Sequence, residues 1–266
     1  MKQRFYNIGM LSLLLAAMLL GSCMSGNGKG NEWKLVWEEN FDGSKIDTTV
    51  WSKIPRAGSN WSKYMSFHDT LFSVENGNLI LRGMPNTFLP NDTAPFLTGG
   101  VYTKDKKTFG LGRLEIYAKL YGAQGAWPAL WMLPESGPYP DGGEIDIMEW
   151  YDHIDFVAQC VHSHYTLTLG IKEPEQSAYT DIDSAKYNLY AVELHKDSLL
   201  FFVNDIHTLT YPRIETDKEG QFPFGDNNYY LLIDMQHHNE WKGATPPNEL
   251  PFKMAVDWVR FYEKQE

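Results

Sequence analysis

The stretch Gly112–Leu120, with the sequence GRLEIYAKL, alternates apolar and polar side chains at every second position. Its apolar members are Leu114, Ile116, Ala118 and Leu120. A period of two places successive side chains on opposite faces of a β-strand, whereas a helix repeats every ~3.6 residues. The stretch therefore predicts a half-buried strand, with one face in a core and the other in water.

Similar short runs lie on both sides of this stretch. They are found at residues 79–81, 199–203, 229–233 and 254–262, and turn signals between the runs include Asn76-Gly77, Asn204-Asp205 and Gly225-Asp226. No amphipathic helical run longer than about three turns stands out. Many short strands separated by Gly and Pro indicate an all-β fold, either a β-sandwich or a barrel.

Composition limits the classes of function. The chain has 266 residues, of which 43% are hydrophobic, so a single domain with a sizeable core is expected. The net charge of −11 would repel phosphate backbones and anionic lipids, and this disfavours nucleic-acid binding. Nine Trp and fifteen Tyr suit stacking against flat apolar faces, including those of sugar rings.

The N-terminal segment has the layout of a secretory signal. Lys2 and Arg4 precede an apolar run at residues 8–20, which is too short to span a bilayer as a mature helix. The sequence Leu20-Gly21-Ser22-Cys23 resembles the lipobox of bacterial lipoproteins, and this resemblance implies cleavage before Cys23 and lipidation of that residue. An ordinary signal peptide with an incidental Cys remains the alternative.

These features predict three segments: a lipoprotein signal peptide at residues 1–22, a flexible tether at 23–31 and a globular domain at 32–266. Once Cys23 is lipidated, Cys160 has no partner, so no internal disulfide is expected. We expect a monomer that is exported and anchored in the bacterial outer membrane. Either the cell surface or the periplasm can display it.

Three acidic residues lie close together in Gly142–Trp150, GGEIDIMEW. In a regular strand Glu144 and Asp146 share one face, and the two isoleucines point to the other. Strict alternation would bury Glu149 without a partner, at high cost in free energy. A one-residue bulge at about Met148 would return Glu149 to the face of the other two acids, and such bulges are common beside active sites.

A pair of carboxyl groups can hydrolyse a glycosidic bond, and in retaining enzymes the two lie about 5–5.5 Å apart. Crowded carboxylates raise the pKa of one member, which then serves as a general acid while another stays ionised. As a bare motif, the triplet is equally compatible with a calcium site or a solvated acidic edge.

Other segments resolve this ambiguity. They are Trp33–Phe41 (WKLVWEENF), Thr98–Tyr102 (TGGVY), Gly112–Glu115 (GRLE), Gly125–Leu133 (GAWPALWML) and Val256–Tyr262 (VDWVRFY). With the Glu-x-Asp-x-x-Glu motif, they resemble glycoside hydrolase family 16, in the bulged, laminarinase-like branch. The resemblance implies a β-jelly-roll sandwich of two curved antiparallel sheets, similar to concanavalin A, with a sugar-binding cleft on the concave sheet.

The resemblance also implies roles for individual residues. Glu144 would be the nucleophile, Glu149 the general acid/base, and Asp146 would steer the pair. The substrate-binding candidates are Asn60, Trp61, Trp127, Trp131, Trp150, His162, His164 and Trp241. For Trp127 and Trp131, plain core packing is an equal alternative.

His162 and His164 alternate, which predicts that both point to one side of the strand after the acids. Beside three acids they could bind a transition metal, although the family uses no cofactor in catalysis, and a hydrogen bond to sugar or to Asp146 is favoured. Many family members carry a structural calcium on the convex face. Asp257, with carbonyl oxygens near Glu39 and Gly77, could supply ligands for it.

The chain departs from the glucan-cleaving pattern in two places: Gln236–Trp241 (QHHNEW) replaces Gly-Gly-x-Trp, and a loop around Asn60 replaces an Asn-Glu-Leu-Gln run. Relatives with this kind of loop include enzymes that cut internal β-1,4-galactosyl bonds in the poly-N-acetyllactosamine of mucin O-glycans. We therefore favour an endo-β-galactosidase. An endo-β-1,3(4)-glucanase and a non-catalytic lectin remain the alternatives.

Overall fold

The computed structural model describes residues 33–238 and 245–265. The chain divides into two units, Met1–Gly30 and Asn31–Glu266, and the fold concerns only the second. The predicted signal peptide and tether, Cys23 and Trp241 therefore lie outside the described residues. In the part that is described, no helix is long and apolar enough to cross a membrane.

Nine antiparallel strands form the larger sheet, and all strands are numbered in chain order. They are β1 (Trp33–Glu39), β3 (Phe72–Glu75), β4 (Asn78–Pro85), β5 (Phe96–Thr98), β7 (Gly112–Tyr121), β12 (Asn188–Leu194), β13 (Ser198–Val203), β14 (Ile206–Pro212) and β16 (Phe252–Lys264). The order is β14-β13-β12-β7-β16-β4-β3, with β1 paired to β16 and β5 to β4. The C-terminal strand β16 thus lies inside the sheet.

Seven antiparallel strands form the second sheet. They are β2 (Ser52–Lys53), β6 (Gly100–Tyr102), β8 (Ala126–Pro134), β9 (Glu144–Glu149), β10 (Phe156–His162), β11 (Ser177–Asp181) and β15 (Tyr229–His237). The order is β11-β10-β9-β8-β15-β6-β2, so β9 has neighbours on both sides. Helical structure among the described residues is limited to single turns at Asp69–Leu71, His164–Thr168 and Pro247–Glu249.

The two sheets pack face to face over one hydrophobic core. Leu114 and Ile116 of the larger sheet share this core with Ile145 and Ile147 of the smaller one, and all four are fully buried. The predicted all-β sandwich of two antiparallel sheets is confirmed. The smaller sheet turns its other face outward, and that face carries the acidic residues.

The opposite face of β7 is less exposed than its alternation predicts. Arg113 and Glu115 are each only 4% exposed. The guanidinium of Arg113 donates to Glu115 at 2.7 Å, to Glu193 at 2.8 Å and to Asp205 at 2.9 Å. The strand is correctly predicted, but its half-buried character is not, because a paired charge can be buried where an unpaired one cannot.

Replacing Arg113 by Ala should lower the free energy of unfolding by about 3–5 kcal/mol, because it leaves buried carboxylates without their counter-charge. Urea denaturation of the variant measures this loss. Arg82→Ala is the matched control, since Arg82 pairs at 2.9 Å with Glu75, whose side chain is 53% exposed. An exposed pair contributes little to stability. Equal losses in the two variants would contradict the role of the buried network.

The predicted calcium ligands meet at one junction of the larger sheet. β4 pairs with β16 up to Val256, and β1 pairs with β16 from Val259 onward. Asp257 therefore lies between the ends of β1 and β4, next to the segments that contain Glu39 and Gly77. Calcium binding at this junction stays a prediction.

Candidate active site

A bulge in β9 sets the geometry of the acidic residues. On β8, the partners of Asp146 and Glu149 are separated by the single residue Leu130, whereas β9 has Ile147 and Met148 between the two acids. On β10, too, a single residue separates the partners of Asp146 and Glu149. Ile147 and Met148 are both fully buried in the core, so Glu149 returns to the outer face. The predicted bulge is confirmed.

The three acids consequently line one cavity on the outer face of the smaller sheet, with a volume of about 230 Å³. Its wall consists of aromatic, acidic and amide side chains. The lining residues are Trp61, Trp127, Ala129, Trp131, Tyr139, Glu144, Asp146, Glu149, Tyr151, His162 and Gln236. Because flat aromatic surfaces surround polar groups, the cavity is suited to a sugar ring.

Glu149 is deeply placed and receives two hydrogen bonds. Trp127 Nε1 donates to Glu149 Oε1 at 2.8 Å, and the Tyr151 hydroxyl donates to the same oxygen at 3.0 Å. Burial raises the pKa of Glu149, the charge of Glu144 raises it further, and the two hydrogen bonds offset part of this increase. Glu149 is thus tuned to hold a proton that an exposed glutamate would release.

Asp146 lies between the two glutamates and is 3% exposed. Burial raises its pKa well above the ordinary range, and the charges of Glu144 and Glu149 add to this effect. Asp146 also shares a hydrogen bond with Glu144. A protonated Asp146 can donate this bond, which stabilises a negative charge on Glu144.

Tyr139 is a second hydrogen-bonding partner of Glu144. Burial is the main cause of a raised pKa of Tyr139, and the charge of Glu144 and this hydrogen bond raise it further. Nothing in the sequence pattern pointed to Tyr139, because it lies in the loop between β8 and β9. The chain then reaches Glu144 through Gly143, which has φ = 83°. A Cβ at Gly143 would meet Phe224 at 2.5 Å, so this approach requires glycine.

The two histidines that follow the acidic residues in the sequence lie in different structural elements. His162 ends β10, and its Nε2 lies 3.3 Å from Asp146 Oδ2. Burial lowers the pKa of His162, but its hydrogen bond with Cys160 and the charges of both glutamates outweigh this effect and raise the pKa to about 9. His164 instead begins a helical turn and pairs with Asp141 at 3.0 Å. The expectation that both histidines share one strand face is wrong, because the strand ends between them.

The predicted tryptophans fall into two groups. Trp61 and Trp131 line the cavity and meet edge to face with ring centroids 4.8 Å apart. Trp131 is only 4% exposed, and its Nε1 donates to Asp234 at 3.1 Å. It therefore packs in the interior and also forms part of the cavity wall. Trp150 is in the core between the sheets, 2% exposed, and donates to the Ile154 carbonyl at 2.7 Å. It is therefore not a substrate contact, which corrects the prediction.

The loop around Asn60 reaches the cavity through its neighbour Trp61, whereas Asn60 itself is exposed and does not line it. The same loop contacts the end of β15 through the rings of Tyr64 and His237, whose centroids are 5.9 Å apart. His237 is buried and bonds to Thr245 at 2.8 Å, so it supports the loop from below. His237 therefore has a packing role and does not line the cavity.

Gln236 also lines the cavity, a role that its position in the Gln236–Trp241 segment did not indicate. Its side-chain nitrogen donates to Asp234 Oδ1 at 3.0 Å. Its Oε1 is buried and accepts no hydrogen bond from the described residues. An acceptor at the cavity wall without a donor suits a sugar hydroxyl or amide N–H.

Residues 62–260 match the model of the glycosyl hydrolases family 16. The keratan-sulfate endo-1,4-beta-galactosidase of Sphingobacterium multivorum is 32% identical over 87% of this chain, but the match spans only 56% of that enzyme. The beta-glucanase of Rhodothermus marinus is 30% identical, with 95% of this chain and 92% of the glucanase covered. The first of these relatives is thus much longer than the matched region.

Solved structures agree with these matches. The laminarinase from Rhodothermus marinus superposes with a TM-score of 0.78 at 25% identity, over 88% of this chain and 98% of that one. A structure from work on the endo-acting O-glycanases with which human gut microbiota initiate mucin breakdown gives a TM-score of 0.72 at 30% identity, over 86% and 98%. From its own sequence match and from these relatives, the chain belongs to glycosyl hydrolases family 16 and is an endo-acting glycoside hydrolase.

Proposed function

We propose that the enzyme cleaves its glycan by a retaining mechanism in which Glu144 is the nucleophile and Glu149 the general acid/base. The observation that carries this assignment is the bulge, which brings both glutamates to one cavity despite their five-residue spacing. The surroundings of the two glutamates differ as this mechanism requires, since one must hold a proton and the other must be ionised. Glu149 has a raised pKa, whereas Glu144 interacts with Tyr139 and Asp146, which can donate to a carboxylate.

In the first step, Glu149 donates its proton to the glycosidic oxygen while a Glu144 oxygen attacks the anomeric carbon. The C–O bond to the leaving sugar breaks, and an ester to Glu144 forms. Esterification removes the negative charge of Glu144, which is one cause of the raised pKa of Glu149. The lower pKa keeps Glu149 ionised after it has given up its proton, so its carboxylate is free to take a proton from water, and that water hydrolyses the ester.

We further propose that the glycan contains galactose and that poly-N-acetyllactosamine is the preferred substrate. A galactosidase is among the relatives, and an O-glycanase study supplies one of the matching structures. Within the cavity, Gln236 Oε1 is a buried acceptor to which no described residue donates. An axial hydroxyl or an N-acetyl N–H of a sugar held against Trp61 and Trp131 would satisfy it.

A β-1,3-glucan is the second candidate substrate. It is favoured by the beta-glucanase match, which covers almost all of both chains, and by the laminarinase superposition. The departures at the Asn60 loop and at Gln236–Trp241 are the reason why we prefer the galactose-containing chain.

Measured kcat/KM should be about 10-fold or more higher on poly-N-acetyllactosamine than on laminarin, because a site with buried polar groups penalises ligands that leave them unpaired. Gln236→Met keeps the side-chain volume similar and removes the acceptor. We expect it to reduce kcat/KM on poly-N-acetyllactosamine more than on laminarin.

The control for this comparison is Asn60→Ala, which alters an exposed residue that does not line the cavity. It should leave the ratio of the two kcat/KM values close to that of the unmodified enzyme. A laminarin value equal to or above the poly-N-acetyllactosamine value would return the enzyme to the β-1,3-glucanases.

A further inference from the structure

A cluster of metal-ligating side chains adjoins the cavity. One ligand atom from each of Asp146, Cys160 and His162 lies within 4.8 Å of the other two. We propose that these three residues bind Zn²⁺, and that the bound metal reversibly inhibits glycan hydrolysis. The inhibitory part of this proposal rests on the catalytic roles proposed above, whereas the metal site does not.

Strand geometry places the three residues together. Cys160 and His162 are two positions apart on β10, so their side chains share a face. Cys160 is the cross-strand partner of Asp146, and His162 is the partner of Glu144. The bulge in β9 lies beyond Asp146, so the pairing at these positions is regular and the side chains point to the cavity side.

The bonding of Asp146 gives a second, independent indication of a ligand. Asp146 Oδ2 is buried and forms no hydrogen bond of acceptable geometry with the residues that the structure describes, although His162 Nε2 is 3.3 Å away. The sulfur of Cys160 receives a long contact from Gln176 Nε2 at 3.7 Å, makes another to the Val161 carbonyl at 3.8 Å, and interacts with His162. The carboxylate oxygen therefore has lone pairs that no well-aligned donor uses. Because it faces a thiol and an imidazole, these lone pairs can bind a metal ion together with the sulfur and the ring nitrogen.

The ligand types select the metal. Thiolate, imidazole and carboxylate all bind Zn²⁺, at about 2.3 Å for sulfur and about 2.0–2.2 Å for nitrogen and oxygen. Tetrahedral ligands at these bond lengths lie roughly 3.3–3.7 Å apart, which small side-chain rotations reach from the present spacing. Binding requires a thiolate, a neutral imidazole and a carboxylate, so it releases to solvent the thiol proton of Cys160, the second ring proton of His162 and any proton held by Asp146. Mg²⁺ and Ca²⁺, which prefer oxygen ligands, are poor occupants of such a site.

Metal binding would disable the proposed mechanism in two ways. The metal would bind the carboxylate of Asp146, which shares a hydrogen bond with Glu144. A metal-bound Asp146 could no longer donate this hydrogen bond to the proposed nucleophile. The metal would also put a divalent positive charge close to Glu149, which favours the carboxylate over the protonated acid. The enzyme would then lack a proton for the leaving group.

The test measures zinc affinity of the full-length protein under anaerobic conditions, by competition with a chromophoric zinc chelator. Cys160→Ser and His162→Gln should each weaken zinc binding by about 10-fold or more, because each removes one ligand. His164→Gln is the matched control and should bind zinc as the unmodified protein does, since His164 pairs with Asp141 outside the cluster. Cys23 is present in every variant, so its contribution cancels.

Hydrolysis is then assayed with and without Zn²⁺, and each rate is expressed relative to the metal-free rate of the same variant. Zinc should inhibit the unmodified enzyme, EDTA should restore its rate, and Cys160→Ser should resist the same zinc concentration. Unchanged affinity in Cys160→Ser would overturn the metal site. Tight zinc binding that leaves hydrolysis unaffected would overturn the inhibitory role. The affinity measurement uses no glycan, so an error in the proposed catalytic roles would not alter it.

Discussion

Glu144→Gln is expected to lower kcat by several orders of magnitude while the protein still folds and binds its glycan. The amide is a poor nucleophile, so the ester to the sugar cannot form. Gln has the shape of Glu and can still accept hydrogen bonds from Tyr139 and Asp146, so local structure should persist. Single-turnover assays measure the loss, and calorimetry with an intact oligosaccharide measures the retained binding.

The matched control is Glu135→Gln, which makes the same chemical change at an exposed residue whose carboxylate accepts a hydrogen bond from Asn228 Nδ2 at 3.3 Å. It should leave kcat unchanged. If Glu144→Gln retains near-normal turnover, the nucleophile is another residue and the proposed mechanism fails.

Glu149→Ala is expected to abolish cleavage of natural glycans, and azide should restore turnover of a substrate with a good leaving group. Such a substrate needs little protonation, so the ester to Glu144 still forms, but no base activates water to hydrolyse it. Azide needs no base and attacks the ester directly. Proton NMR should identify a β-glycosyl azide, because two displacements retain the anomeric configuration.

Glu144→Gln serves as the negative control for this rescue, since it forms no ester for azide to attack. An α-glycosyl azide from Glu149→Ala would indicate a single displacement and would exclude retention. Equal rescue in both variants would exclude the assignment of distinct roles to the two glutamates.

The strands of the fold and the placement of Glu144, Asp146 and Glu149 on one face were predictable, because both follow from the pattern of neighbouring residues in the sequence. Alternation over Gly112–Leu120 requires a strand, and the structure has one from Gly112 to Tyr121. The bulge followed from one energetic argument, that Glu149 could not be buried unpaired. The buried pair Ile147 and Met148 confirms that argument. The roles of Glu144 and Glu149 stay predictions.

The errors have a common physical cause, which is pairing between residues distant in sequence. Burial of Arg113 depends on Glu193 and Asp205, which lie on other strands or turns. The core position of Trp150 depends on the opposite sheet and on the Ile154 carbonyl. Tyr139 interacts with Glu144 because the loop between β8 and β9 brings it to the wall of the same cavity. Such contacts leave no periodic signal in the sequence.

The position of β16 bears on how the protein is made. This strand, the last in the chain, pairs with β7 along one edge and with β4 and β1 along the other. Until Lys264 has left the ribosome, these three partners lack their common neighbour and expose unpaired backbone groups. The larger sheet therefore cannot be completed until β16 has been synthesised, and the long sequence separation between β1 and β16 makes this pairing slow. Before β16 is available, the partly made sheet stays in an open form that chaperones can engage.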